Sequence, residues 1–83
     1  MSDKALFVIQ RFENGEWLIQ DVKEGDRSDF QVKKMAVAAY IKAIEWDHNL
    51  PVRLIAYYGE GFNRGDDREG PIRILNHQPE QEL

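Results

Sequence analysis

Two serines and two histidines, Ser2, Ser28, His48 and His77, are the only side chains from which a nucleophile and its base could be drawn, because threonine and cysteine are absent. A serine nucleophile needs a histidine within hydrogen-bond reach and a third group to orient it. Ser2 stands in a polar terminal stretch, and Ser28 has a better role as a helix cap. Zinc chemistry needs about three or four ligands converging on one point. His48 and His77 are far apart in the chain and belong to no ligand-spacing motif. His48 follows Asp47 at a predicted helix end, where an imidazole meets the dipole favourably.

Carboxylates are the remaining catalytic material. Asp66, Asp67 and Glu69 cluster near Asn63 in the glycine-rich stretch from Gly59 to Pro71. Their spacing departs from the alternating oxygen ligands of a calcium loop, and charged glycine-rich stretches are typically surface connections. Gly59, Gly61 and Gly65 follow a strand, as in a phosphate cradle, but such a cradle opens a helix. Here the stretch contains no lysine and runs through Pro71 into a strand. Arg64-Gly65-Asp66 matches a tripeptide read by adhesion receptors, for which chance is the simplest account. The residues predict no catalytic centre, no metal and no cofactor.

Eleven basic against fifteen acidic residues give a net charge of −4. Nucleic-acid affinity rests largely on neutralising phosphates, which lowers the expectation of direct nucleic-acid binding. The material for it is Arg53, Arg64, Arg68 and Arg73, with Tyr57 and Tyr58 to stack bases. An acidic domain more readily meets basic protein surfaces, including those that themselves bind nucleic acid. Absence of cysteine suits a reducing compartment. The beginning, Met1-Ser2-Asp3-Lys4, lacks a basic region followed by a long apolar run, and no apolar run is long enough to span a bilayer. Together these predict a cytoplasmic protein with no membrane partner.

The elements that position these residues follow from periodicity. Leu6–Phe12 and Glu16–Val22 are β-rich runs joined by Asn14-Gly15, the pair suited to a type I′ turn. A two-residue turn sets Phe12 against Trp17, Gln10 against Ile19 and Val8 against Asp21. Leu6, Val8, Phe12, Trp17 and Ile19 then form the predicted core face. Phe7, Ile9, Leu18 and Val22, interrupted by Arg11 and Gln20, form a second face that is not properly polar.

Ser28-Asp29-Phe30-Gln31 reads as a capping box with Ser28 as N-cap. It opens a helix from Asp29 to about His48, which Pro51 ends. Lys34, Ala38, Lys42 and Glu45 make its polar stripe. Val32, Met35, Ala36, Ala39, Ala43 and Trp46 make its apolar face, which Val37, Tyr40, Ile41 and Ile44 widen beyond what one sheet covers. Trp46 and Phe12 are expected in the core. Val52–Tyr58 is a third strand with Val52, Leu54 and Ala56 inward and Arg53, Ile55 and Tyr57 outward. Ile72–Leu75 is a short edge strand after Pro71.

The prediction is one α+β domain in ββαββ order, a three- to four-stranded antiparallel sheet with one helix packed on it. Its ordered core covers about 5–75, followed by a flexible acidic tail over 76–83. The functional expectation is a non-catalytic module that binds another protein. In its concrete form it is an inhibitor or adaptor covering a basic, nucleic-acid-handling surface. In architecture and charge it is similar to small phage-encoded inhibitors of host defence, without a shared motif. The candidate binding residues are Tyr57, Tyr58, Phe62, Arg64, Asp66 and Asp67, with Tyr40 and Ile44 for self-association in a homodimer. The alternatives are a weak nucleic-acid binder and a self-associating structural domain.

Overall fold

Asn14 and Gly15 both take left-handed backbone angles, with φ of 56° and 84°, as a type I′ turn requires. The structure is a computed structural model and describes residues 4–59 and 68–79. The turn joins β1 (Lys4–Glu13) to β2 (Glu16–Asp26). Helix α1 (Phe30–Trp46), β3 (Val52–Gly59) and β4 (Arg68–His77) follow. The strands form one antiparallel sheet in the order β2-β1-β3-β4. The fold is α+β, in the predicted ββαββ order. β4 is longer than the expected Ile72–Leu75 and contains Pro71, which its edge position tolerates because a missing N–H there breaks no ladder.

The helix covers the opposite sheet face from the one expected. Ala5, Phe7 and Ile9 of β1, Val52, Leu54 and Ala56 of β3, and Ala36, Tyr40 and Ala43 of α1 form the core. The register explains the choice: Phe7 lies opposite Ala56 and Ile9 opposite Leu54. The odd residues of β1 thereby join the wholly apolar face of β3, and four alanines (Ala5, Ala36, Ala43 and Ala56) let helix and sheet approach closely. On the other face Val8 lies opposite Ile55. Both are buried, but outside that core.

β2 departs from the expected register at one residue. The pairs Phe12–Trp17, Arg11–Leu18 and Gln10–Ile19 follow the turn as predicted, but Ile9 then pairs with Asp21 and Val8 with Val22. Gln20 is the extra residue of a β-bulge. An extra residue flips every side chain beyond it to the other face. Val22 thus meets Val8, in place of the expected Asp21, while Asp21 and Lys23 turn to the helix side. Gly25, also on the helix side opposite Ala5, approaches α1 so closely that a Cβ there would lie 2.5 Å from Val32 Cγ2.

The helix is also rotated and capped differently from the expectation. Ala36, Tyr40 and Ala43 are its buried residues, so Met35 and Trp46 fall on a flank and stay exposed. Trp46 is therefore not a core residue. The N-cap is Asp29, whose carboxylate accepts from Gln31 N–H at 2.9 Å. Ser28 is occupied elsewhere, its N–H and hydroxyl both donating to Asp26 Oδ1 at 2.9 and 2.7 Å. These bonds, the backbone one foremost, hold the Asp26 carboxyl below its ordinary value. At the other end Asp47 Oδ1 accepts from Asn49 N–H at 3.0 Å. Phe12 N–H donates to the Pro51 carbonyl at 2.9 Å, tying the end of β1 to the residue just before β3. The helix itself ends earlier than the expected His48, at Trp46, where Asp47 turns extended.

Candidate protein-binding surface

β2 carries exposed apolar residues on both faces, and the bulge is what places Val22 beside Ile19. Ile19 is 61% exposed and Val22 43% on the face away from the helix, and Leu18 is exposed on the helix side. Above it, the flank of α1 contributes Met35 and Trp46, the latter 78% exposed. Among the described residues no element covers this margin. Phe30 and Ile41 are the other exposed large apolar residues of α1.

Between the helix flank and β2 lie two adjoining cavities. One, of about 180 Å³, is lined by Arg11, Gln20, Lys42 and Trp46 among others. The other, of about 260 Å³, is lined by Lys23, Met35 and Ala38 among others. Both share Asp21, Ala39 and Lys42. Together they form a shallow trough with small alanines on its helix side and polar groups from the bulged strand. Without the bulge, Asp21 and Lys23 would face the opposite side of the sheet. Arg11 Nη2 contacts Glu13 Oε1 at 3.2 Å and Lys23 Nζ contacts Asp21 Oδ2 at 3.6 Å.

The residues singled out from sequence fall in different places. Tyr57 and Tyr58, adjacent in β3, point to opposite faces. Tyr57 is half-buried on the face shared with Ile19 and Val22. Tyr58 is half-buried on the helix side, with the Arg27 guanidinium 4.1 Å from its ring centre. Tyr40 is buried in the core of a single copy, and burial pushes its phenol above the ordinary value. Ile44 is half-buried against the same core. Phe62, Arg64, Asp66 and Asp67 lie outside the described residues.

Arg53, a candidate phosphate contact, is engaged within the sheet. Its guanidinium sits 3.9 Å from the centre of the Trp17 ring, and its Nε donates to Gln10 Oε1 at 2.6 Å. Phe12 packs edge-on against the same Trp17 at 5.2 Å between centroids. Leu18, Ile19, Val22 and Met35 were not anticipated as a site. The available signal was the insufficiently polar second face of the hairpin and the over-wide apolar surface of the helix.

His77 Nε2 donates to the His48 carbonyl at 3.1 Å. Among the described residues no three His, Asp or Glu side chains are grouped to hold a metal ion. No helix of the described residues is long and apolar enough to cross a membrane. Comparison with family models, curated proteins and solved structures finds no match to this chain.

Proposed function

We propose that this chain is a non-catalytic protein-binding module that docks its partner along the margin formed by β2 and the overlying flank of α1. The observation that carries the reading is that the edge strand β2 and the α1 flank above it leave large apolar side chains exposed, Leu18, Met35 and Trp46 on the helix side and Ile19 and Val22 on the other face. Exposed apolar surface rimmed by charge marks interaction sites, and tryptophan is prominent among residues that dominate interface energy. The net charge of −4 favours long-range attraction to a basic partner. That agrees with an inhibitor or adaptor covering a nucleic-acid-handling surface. Tyr57 extends the same reading across the sheet face that carries Ile19 and Val22.

The test is affinity capture from source-cell lysate with nuclease present, using the wild type and the Ile19→Glu and Trp46→Glu variants. Both positions are exposed, so the variants are expected to fold. One protein held by the wild type and lost by both variants supports the reading. A partner retained by both variants, or released by nuclease alone, refutes it.

A further inference from the structure

We infer that the trough between α1 and β2 receives a short extended segment of the partner, in which a carboxylate stands beside a large apolar side chain. This rests on the protein-binding reading and names the chemistry of the segment recognised. Charge is the first argument. Although the chain is net acidic, Arg11, Lys23 and Lys42 line the trough against Asp21 alone. Glu13 holds Arg11 and Asp21 holds Lys23. Lys42, which borders both cavities, has no ion-pair partner among the described residues.

Arg11 adds to this. Its side chain is only 12% exposed, and its Nε is buried without a hydrogen-bond partner. One of its donors meets Glu13, so a largely desolvated cation has donor capacity left over. An incoming carboxylate would offset the local positive charge where water screens it least.

Apolar surface and length supply the second argument. Trp46 closes one end of the trough and Met35 the other. They stand eleven positions apart on the helix, a rise of about 16 Å, which matches roughly five residues of extended chain. Strand addition at β2 is disfavoured by the bulge and its side-chain caps. Gln20 donates to the Leu18 carbonyl at 3.4 Å, and Asp21 Oδ1 accepts from Val22 N–H at 2.8 Å. Bulges and blocked backbone groups are how edge strands resist pairing. Recognition by side chains in the trough is the route that remains.

The test is fluorescence polarisation of the full chain with two labelled pentapeptides, one alternating leucine and aspartate, the other leucine and lysine. The aspartate peptide is expected to bind about tenfold or more tighter, and Lys42→Glu to erase that preference, as charge complementarity requires. Lys33→Glu, exposed and on the side of the helix opposite Lys42, is expected to match the wild type. Equal binding of the two peptides, or an unchanged preference in Lys42→Glu, would overturn the inference. If the captured partner still depends on Ile19 and Trp46 in that event, the protein-binding reading survives and only the trough assignment fails.

Discussion

Replacing Gly25 by alanine tests the register on which the trough depends. The added Cβ would lie 2.5 Å from Val32 Cγ2 and 3.3 Å from both Val32 Cβ and Cγ1. Val32 belongs to the first turns of α1, where a β-branched side chain is confined almost to one rotamer. It cannot swing aside, so helix and strand must separate. Overpacking of this kind costs about 1–3 kcal/mol. Against it stands a gain of roughly 0.4–1 kcal/mol from restricting the unfolded chain, since Gly25 has no left-handed backbone angle to preserve.

The net loss should be about 1–2 kcal/mol, or roughly 4–16 °C in Tm for a chain of this size. In a Val32→Ala background the 2.5 Å contact is gone and only the 3.3 Å approach of Cβ remains. There the same change should be neutral or slightly stabilising. The assay is a double-mutant cycle read by urea and thermal unfolding. Had β2 run without its bulge, Gly25 would face away from α1 and Gly25→Ala would stabilise in both backgrounds. Equal effects in the two backgrounds would therefore refute the register, and with it the placement of Asp21 and Lys23 in the trough.

Gly15→Ala tests the hairpin turn. Gly15 has φ of 84°, and a Cβ added there would meet nothing within 4 Å, so the change acts on the backbone alone. It should cost about 1–2 kcal/mol, visible as a lowered urea midpoint with unchanged slope. An unchanged midpoint would count against the type I′ turn. Tyr40→Phe tests the burial of that ring. Burial raises the Tyr40 pKa above its ordinary value of 10.0, so the unfolded chain loses this proton first as pH rises. Stability should then be complete below about pH 10 and fall between the ordinary and the raised value. Urea midpoints at about pH 8 and 11 should drop further for the wild type than for Tyr40→Phe, and equal drops would show that the phenol is not desolvated.

What could be read from the sequence was what depends on neighbours along the chain. Asn14-Gly15 set the turn because only such residues accept its angles. The alternation of Val52, Leu54 and Ala56 identified the inward face of β3, whereas the helix ends at Trp46, short of the stretch before Pro51. The cap was off by one residue because Ser28 and Asp29 are both good caps, and Asp26 engages the first of them.

Tertiary packing decided the rest. Both faces of β1 are apolar, so periodicity alone could not say which one the helix covers; pairing with β3 chose Phe7 and Ile9. The bulge at Gln20 has no local signature, yet it brings Val22 to Val8 and turns Asp21 and Lys23 toward α1. A helical repeat likewise reveals an apolar arc but not the rotation of the helix on its sheet. With Ala36, Tyr40 and Ala43 facing inward, Met35 and Trp46 were left at the margin. Composition and local pattern thus determined which elements this chain forms. The candidate surface arose where those elements met, because contacts between residues distant in sequence fixed which apolar side chains the core took and which it left outside.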